Sequence, residues 1–361
     1  MRIALIAPPF IPVPPRRYGG TELFIGHLAE GLKQNGIDVV VYANGDSTVN
    51  VEVKSLYPES EWPLKGEIFG SLKDVNHTTW AMADAARDCD IIHLNNAPGL
   101  ASTRFVDQPV VYTVHHPHEP ALSDFYSYFP QVHYVAISDF QSSLEAMPHC
   151  TAIHHGIHLS DYRLQPNKQP YLSFIGRLAP VKGPHLAIEV AKKTGLPLKI
   201  AGEIQPMYKS YFESEIKPQL DGRFIEYIGE ADLAAKNELL GNSMAMLFPI
   251  QWDEPFGLVM IEAMACGTPV IALKRGSVPE VVRGGVSGFV CESVEQMVNC
   301  VRDLSISPLL VHEYARDNFS VEVMTRKYLE LYESICAIET PMELTSTDAL
   351  SLLTEPGAAA A

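Results

Sequence analysis

Two glutamates in one segment, Glu254 and Glu262, are the side chains of this chain whose spacing most suggests chemistry. The apolar run over residues 245–250 ahead of them predicts a buried strand, and the residues after Gly257 predict a helix. Gly267 then stands where a glycine usually ends a helix. One carboxylate is therefore expected in a loop and the other on the first turns of a helix. Either glutamate taken alone is more often an ordinary solvated side chain.

A helix that begins at the carboxyl edge of a sheet offers an anion-binding end. Its first N–H groups have no partners within the helix, and the positive end of the helix dipole lies there. We expect Phe256, Gly257, Leu258 and Val259 to form this binding segment. Carboxylates beside it can accept hydrogen bonds from hydroxyl groups. An anion next to a polyol predicts a sugar nucleotide as the ligand.

A second candidate segment covers residues 175–183, with the sequence I-G-R-L-A-P-V-K-G. It follows a predicted strand and precedes a predicted helix. Glycine permits close approach of a ligand to the backbone, while Arg177 and Lys182 supply positive charge for a diphosphate. Alone, the loop could carry two solvated cations; beside the two glutamates, diphosphate binding is the better interpretation.

Two other predicted strand ends carry candidate residues. Gly19 and Gly20 follow the first strand and open a helix, as any tight strand-to-helix turn requires. His115 ends the apolar run V-V-Y-T-V-H and is followed closely by His116 and His118. A lone histidine at a strand end is usually structural, and these residues alone do not make His115 a catalytic candidate.

Patterns typical of metal sites are weak. The H-H-P-H cluster could suggest a metal, but no carboxylate is evidently paired with it. Asp88 and Asp90 form a D-x-D pair, yet they precede a predicted strand and so lie away from the edge where ligands bind. The six cysteines show no C-x-x-C pair or zinc spacing and fit buried, reduced thiols. We expect neither a metal nor another cofactor.

Length and composition narrow the class of protein. A chain of 361 residues predicts two domains, and 47% apolar residues is ordinary for a globular protein. The net charge of −16 argues against general affinity for nucleic acid or acidic membranes. The apolar N-terminus is short and runs into prolines, which predicts a first strand rather than a signal peptide. With no apolar run of ~18 residues, we expect a cytoplasmic protein without a transmembrane segment.

Short apolar runs alternate with helical segments and predict two successive α/β units, each with a parallel sheet covered on both faces. The ligand site of such sheets lies outside the carboxyl ends of the strands, here in the cleft between the units. The predicted strands are 2–7, 38–43, 90–95, 110–115, 133–138 and 151–155, then 171–175, 198–201, 224–228, 245–249, 269–273 and 288–290. Further helices are predicted at 21–34, 184–194, 233–240, 278–283, 308–319 and 321–338, the last capped by Ser320.

Together these segments resemble the retaining glycosyltransferases of the GT-B fold, specifically family 4, the glycosyl transferase group 1. The resemblance covers roughly residues 1–339 and is carried first by the family's E-x7-E motif, here D-E-P-F-G-L-V-M-I-E. It implies an α/β GT-B fold, with two Rossmann-like domains whose parallel sheets face each other across a cleft. The implied parts are an acceptor-side domain (1–163), a nucleotide-sugar-binding domain (164–320), a helix crossing back to the first domain (321–339) and a disordered tail (340–361).

The resemblance also implies the transfer of a hexose from a nucleotide diphosphate sugar to an acceptor hydroxyl, with retention at the anomeric carbon. Arg177 and Lys182 would bind the pyrophosphate, Glu262 the ribose and Glu254 the hexose, with His115 beside the donor sugar. The implied catalytic residues are thus His115, Arg177, Lys182 and Glu254, and the implied substrate-binding residues are Gly19, Gly20, Phe256, Gly257, Leu258, Val259 and Glu262.

Two segments depart from the family's pattern. The usual N-G-(I/V)-D turn reads H-G-I-H from His155, and G-G-x-P-E reads G-S-V-P-E from Gly276. The sequence leaves open whether the donor is UDP-, GDP- or ADP-linked, and whether the acceptor is a sugar, another small molecule or a lipid. Two other functions also stay open: a sugar-nucleotide epimerase of the same fold, and a non-catalytic sugar-nucleotide-binding protein.

Overall fold

The computed structural model describes residues 1–16, 19–62 and 66–339, so the predicted tail at 340–361 lies outside the described residues. Within that part of the chain, the N-terminal half forms a sheet of seven strands. Their bounds are β1 (Arg2–Ile6), β2 (Asp38–Tyr42), β3 (Glu52–Lys54), β4 (Ile91–Leu94), β5 (Val110–Val114), β6 (His133–Ala136) and β7 (Cys150–Ala152). The strands are all parallel, in the order β3-β2-β1-β4-β5-β6-β7.

The second half of the described chain forms a second parallel sheet, of six strands. They are β8 (Gln169–Ile175), β9 (Leu198–Ala201), β10 (Ile225–Tyr227), β11 (Ser243–Phe248), β12 (Val270–Leu273) and β13 (Gly288–Cys291), in the order β10-β9-β8-β11-β12-β13. In both sheets the strand order reverses direction at the first strand, between β1 and β4 and between β8 and β11. Such a reversal opens a crevice at the carboxyl ends, where ligands bind in open α/β sheets.

Helices cover both sheets. Their bounds are α1 (Gly20–Gln34), α2 (Glu67–Ala85), α3 (Pro120–Tyr126), α4 (Asp139–Leu144), α5 (Pro184–Thr194), α6 (Lys209–Tyr211), α7 (Leu233–Asn242), α8 (Leu258–Ala265), α9 (Val278–Val281), α10 (Val294–Arg302), α11 (Pro308–Phe319) and α12 (Val321–Glu339). Short 3-10 or π turns occur at Ala97–Phe105, Leu159–Asp161, Pro180–Lys182, Pro206–Tyr208, Phe212–Ile216 and Lys217–Gln219. The predicted α/β architecture is confirmed. None of the described helices has the length and apolar character of a membrane span.

Alternation along β1 shows how the first sheet is covered on both faces. Ile3 and Leu5 pack with α1 and α12, whereas Ala4 and Ile6 pack with α2 on the opposite face. All four side chains are fully buried. A strand that is apolar on both sides is what a central parallel strand requires.

The last helix, α12, returns to the first sheet although it follows the second sheet in sequence. His93 of β4 lies at its centre, with Nδ1 2.7 Å from Tyr332 Oη and Nε2 2.7 Å from Thr113 Oγ1. Tyr328 Oη lies 2.9 Å from the same Thr113 oxygen. The predicted N-cap is confirmed, since the Val323 N–H donates to Ser320 Oγ at 3.3 Å.

The predicted division near residue 163 stays a prediction. In the described chain, Lys168, which lies just after this position, is hydrogen-bonded to residues of the second half. The Lys168 ammonium donates to Gly241 O at 2.8 Å, Cys266 O at 3.0 Å and Thr268 Oγ1 at 2.7 Å. The backbone therefore passes between the sheets before residue 168.

The sequence patterns do not predict β3, α2, α3, α4, α6 or α10. β3 is a three-residue edge strand with charged ends, Glu52 and Lys54, so it contains no apolar run. The first turns of α2 expose Ile68, Phe69 and Leu72, so its apolar residues do not form one stripe. The predicted strand 151–155 is wrong in its second half, because β7 ends at residue 152 where the chain leaves the sheet.

Burial of His93 predicts a pH dependence of stability. Burial lowers the pKa of its imidazole to about 3, whereas in the unfolded chain the group binds a proton below about 6.5. The unfolded state thus binds more protons as the pH falls from 6.5 towards 3, and stability is lost across that window. Between pH 6.5 and 5 one such group costs about 2 kcal/mol.

The variant His93→Gln keeps hydrogen-bonding capacity but does not titrate. We expect its free energy of unfolding, measured in urea at pH 7, 6 and 5, to fall by about 2 kcal/mol less than that of the wild type. Parallel slopes for His93→Gln and the wild type would contradict this account.

Candidate active site

A cavity of about 930 Å³ opens between the carboxyl edges of the two sheets. The turn before α1 and the end of β5 form one wall. The ends of β8 and β9 and the starts of α7 and α8 form the other. Its volume is in the range of small-molecule sites. Both reversals of strand order open into this space, so the topology of each sheet contributes to one site.

Ten of the eleven predicted site residues line this cavity. They are Gly19, Gly20, His115, Arg177, Glu254, Phe256, Gly257, Leu258, Val259 and Glu262. The eleventh, Lys182, is connected to the cavity through Glu254, to which its ammonium donates a short hydrogen bond. Residues far apart in sequence are thus brought together around one space.

The start of α8 presents backbone N–H groups to the cavity. Gly257 precedes the helix with φ +82°, in the left-handed region, where a side chain is strained. No side chain in the described chain caps this helix, and Gly257, Leu258 and Val259 all line the cavity. The uncapped N–H groups and the helix dipole therefore favour an anion at this point.

The start of α1 approaches the same point from the other sheet. Gly19 and Gly20 line the cavity, and α1 also lacks a side-chain cap among the described residues. A Cβ on Gly20 would lie 3.9 Å from Leu258 Cδ1 of α8. The two helix N-termini face each other, which suits a ligand with more than one phosphate group.

Glu254 lies in a small cluster with Lys182 and Trp252. The carboxylate accepts the Lys182 ammonium and the Trp252 Nε1–H, the latter at 2.8 Å from Oε2. Lys182 Nζ also lies 4.9 Å from the centre of the Trp252 ring. Burial lowers the pKa of Lys182 and the nearby Arg177 lowers it further, while Glu254 acts in the opposite direction. The predicted cation and the predicted carboxylate are therefore hydrogen-bonded partners.

Glu262 has its own pair of partners, which are not evident in the sequence. Its Oε1 accepts the Tyr162 hydroxyl at 2.9 Å and the Lys236 ammonium at 2.7 Å. Its Oε2 is buried and has no hydrogen-bond partner among the described residues. A buried oxygen without a partner is costly, and this one belongs to a side chain that lines the cavity. Glu262 thus has one carboxylate oxygen that no described residue pairs.

The backbone at the end of β8 places Arg177 in the cavity. Gly176 has φ +156° and its N–H donates to Ala201 O at 3.1 Å. The adjacent Leu178 N–H donates to Glu203 O at 2.9 Å, so the two flanks of Arg177 are fixed to the last residue of β9 and to the segment that follows it. Its guanidinium lines the cavity and has no ion-pair partner among the described residues.

His115 follows β5 directly and is held by Asn95, which follows β4. Asn95 donates through Nδ2 to Ile6 O at 3.2 Å, which leaves Oδ1 to accept from His115 Nε2 at 2.9 Å. His115 Nδ1 then carries no proton and can accept one hydrogen bond. Burial lowers the pKa of His115 well below its usual value, and neighbouring imidazoles lower it further, so the ring is neutral.

The neighbouring histidines are bound separately rather than around a common point. His116 Nε2 lies 2.5 Å from Tyr126 Oη, and His118 Nδ1 lies 3.0 Å from Glu145 Oε1. Each ring has its own local partner, and this geometry gives no support to a metal site in the H-H-P-H cluster.

The D-x-D pair lies at the amino edge of the first sheet. Asp90 Oδ2 accepts the Arg2 N–H at 2.7 Å, and Asp88 Oδ2 lies 3.5 Å from Arg2 Nε. Among the described residues, the one group spaced closely enough for a metal is Asp139, His154 and Glu280. Glu280 already accepts two backbone N–H groups and the His154 ring, which explains the cluster without an ion.

Sequence reasoning missed the residues that orient the predicted ones. Asn95 could have been found, since it follows a predicted strand next to the one that ends at His115. Tyr162, Lys236 and Trp252 carry no such signal, because their roles depend on distances across the fold. His155 also lines the cavity, although the sequence marks it only as a departure from a family pattern.

Comparisons with known proteins agree with this architecture. The family model for glycosyl transferases group 1 matches residues 160–317, and the model for Glycosyltransferase Family 4 matches residues 18–177. Glycogen synthase of Mycobacterium tuberculosis is 25% identical over 376 aligned positions, covering 88% of this chain and 89% of that protein. N-acetyl-alpha-D-glucosaminyl L-malate synthase of Bacillus anthracis is 34% identical over 115 positions, covering 30% of this chain and 29% of that protein.

Two solved structures share the fold. AviGT4, a glycosyltransferase involved in avilamycin A biosynthesis, superposes with a TM-score of 0.71 at 21% identity, covering 93% of this chain and 98% of its own. HepE of Anabaena, solved in complex with UDP and glucose, has a TM-score of 0.71 at 19% identity, covering 92% and 100%. The two family models together span residues 18–317, and the chain belongs to the GT-B-fold glycosyltransferases of family 4, the glycosyl transferase group 1.

Proposed function

We propose that the protein transfers a hexose from a nucleoside diphosphate sugar to an acceptor hydroxyl, with retention of the anomeric configuration. The observation that carries this proposal is the pairing pattern of Glu262, which has one oxygen saturated by Tyr162 and Lys236 and the other buried and free. An ionised carboxylate with a free oxygen is the acceptor that ribose hydroxyls need. Such a group beside an uncapped helix N-terminus matches a ribose beside a diphosphate.

The diphosphate is proposed to lie between the starts of α1 and α8, with Arg177 beside it. A guanidinium can bind phosphate oxygens in a bidentate manner, and the two helix ends add positive potential without a further counter-charge. The anionic leaving group would then be stabilised by fixed donors, which is electrostatic preorganisation. Domain closure around the donor would exclude water from this step.

Lys182 is proposed to exchange partners when the donor binds. Its ammonium donates a hydrogen bond to Glu254. An incoming diphosphate offers a second anion, so the ammonium can move to a phosphate oxygen while Trp252 keeps its hydrogen bond to Glu254. Glu254 is then free to accept hexose hydroxyls, next to His115 Nδ1. The contact of Lys182 with the diphosphate and the contact of Glu254 with the hexose, both predicted from the sequence, are therefore part of this proposal.

Glu254 and Glu262 are not proposed to act as the acid and nucleophile of a glycosidase. Glu262 is engaged by Tyr162 and Lys236, and Glu254 by Lys182 and Trp252, so both serve as acceptors for hydroxyls. Retention is proposed to arise from attack by the acceptor on the face that the diphosphate leaves. The UDP and glucose bound to the structural neighbour HepE support a nucleotide-sugar donor. The cytoplasmic location stays a prediction.

A binding and transfer screen tests the proposal as a whole. Titration with UDP-, GDP- and ADP-sugars should find at least one donor bound, and incubation with sugar, small-molecule and lipid acceptors should yield a glycoside of unchanged anomeric configuration by NMR. Absence of binding to every nucleoside diphosphate would overturn the proposal. Epimerised sugar or free nucleotide without any acceptor would favour the epimerase instead.

The two glutamates should differ in what they bind. Glu262→Gln should weaken the binding of free nucleoside diphosphate by about 1–3 kcal/mol, because an amide offers one acceptor oxygen in place of two. Glu254→Gln should not weaken binding of the free nucleotide, because the Lys182 ammonium is then easier to transfer to a phosphate, and should weaken discrimination between donor sugars. Calorimetric titration of both variants, with the exposed Glu292→Gln as control, separates the two effects. Equal weakening of the free nucleotide by both variants would refute this division of roles.

Arg177→Ala and Lys182→Ala should each reduce transfer strongly in a folded protein. Loss of one charge-assisted contact to the diphosphate costs about 1.5–3 kcal/mol. Lys182→Ala should also lower thermal stability, because it leaves the buried Glu254 without its counter-charge. The exposed Lys274→Ala is the matched control for kcat/KM and melting temperature. Normal turnover by a folded double variant would remove both residues from the diphosphate site.

Transfer should not require a divalent metal. The positive charge at the cavity comes from Arg177, Lys182 and two helix ends, and both cavity glutamates that were predicted are already paired with lysines. We expect the same kcat/KM in EDTA as in buffer with added Mg²⁺. Activity that disappears with EDTA and returns with Mg²⁺ or Mn²⁺ would show the prediction to be wrong.

A further inference from the structure

His155 lies in the segment that joins the two sheets, and its ring lines the cavity. The side chain is 6% exposed and is enclosed by other rings. It stacks on His115 at 5.6 Å between centroids with an angle of 10° between planes. Phe256 meets it edge-on at 5.3 Å, and Phe24 lies at 5.0 Å. The imidazole therefore has one fixed orientation, determined by packing.

The hydrogen-bonding state of His155 follows from its surroundings. Nδ1 is buried and has no partner in the described part of the chain. Orphaned buried N–H donors are rarer in proteins than orphaned acceptors, so the tautomer with its proton on Nε2 is favoured. Burial, with a smaller contribution from the nearby His154 and His27, lowers the pKa of His155 to about 3, so the ring is neutral. His155 thus offers one N–H donor at a wall of the cavity.

His115 supplies the complementary group. Its Nε2–H is already used on Asn95 Oδ1, which leaves Nδ1 as an acceptor. One neutral donor and one neutral acceptor therefore lie on adjacent, parallel rings. A hydroxyl group both donates and accepts hydrogen bonds, whereas an ionised phosphate only accepts and is better bound by cations. The pair suits the neutral hydroxyls of a sugar rather than the diphosphate.

We propose that His155 is a specificity-determining residue, which donates a hydrogen bond from Nε2 to a hydroxyl of the transferred sugar beside His115. The proposal rests on the proposed function, since it takes the donor to be a nucleoside diphosphate sugar. It concerns the sugar half of the ligand alone, so its effect is separable from that of the nucleotide half.

The test compares a nucleotide with its own sugar derivative. Calorimetric titrations are made with the wild type, His155→Phe and His155→Gln. The free nucleotides are UDP, GDP and ADP, and their sugar derivatives are UDP-glucose, UDP-galactose, GDP-mannose and ADP-glucose. Phe keeps a ring in the stack but removes the donor, and Gln keeps an N–H donor. We expect His155→Phe to weaken the best-bound sugar derivative about five- to tenfold, the loss of one neutral hydrogen bond, and to leave the free nucleotide within about twofold. His155→Gln should restore part of the difference.

His158→Phe is the matched control, because it makes the same change in the same segment at a ring that does not line the cavity. The inference is overturned if His155→Phe binds the sugar derivative as tightly as the wild type does, or if it binds the nucleotide and the sugar derivative more weakly by the same factor. In either case the proposed function stands. Absence of nucleotide binding by the wild type overturns both the inference and the proposed function.

If His155→Phe fails to fold, ¹⁵N-histidine NMR of the wild type decides. The His155 Nε2 signal must shift with the sugar derivative beyond its shift with the free nucleotide, and an equal shift overturns the proposal.

Discussion

The double crossing of the chain between the two sheets is the constraint on which the site depends. Residues 153–162 leave the first sheet and residues 319–321 return to it, and the two strands of the crossing are hydrogen-bonded. The Ile157 N–H donates to Phe319 O at 3.0 Å, and the Val321 N–H donates to Ile157 O at 3.1 Å. A Cβ on Gly156 would collide with the backbone of Ser320, so only glycine permits this approach. The return of α12 then fixes which edges of the two sheets face each other.

A third contact joins the sheets close to this crossing. Glu280 of α9 accepts the N–H groups of Asp139 and Phe140 at 2.7 and 2.9 Å, at the start of α4, and the His154 ring at 2.8 Å. A carboxylate from one half thus caps a helix of the other half. Any opening of the cavity must lengthen these contacts, so their geometry couples the width of the cavity to the crossing.

Charge pairing explains how a buried site can hold two carboxylates and still attract an anion. A buried carboxylate without a counter-charge is strongly unfavourable, and here Lys182 and Lys236 each neutralise one glutamate. The glutamates therefore contribute little net negative charge, and Arg177 with the two helix ends provides positive charge near the start of α8, although the chain charge is −16. Each lysine also contacts only one oxygen of its glutamate, so it leaves the other oxygen of each carboxylate unpaired in the described part of the chain.

The sequence by itself determined the parallel α/β architecture and ten residues that line the cavity. Apolar runs, glycine turns and helix ends are local features, and parallel strands bring their carboxyl ends to one edge whatever the details of packing. It could not predict β3 and α2, whose short or mixed apolar patterns lack a clear period. It also could not predict that Lys182 bonds to Glu254, that Tyr162 and Lys236 hold Glu262, or that His155 stacks on His115. Those pairings join residues that are distant in sequence, and only the packing of the two halves against each other sets the distances between them.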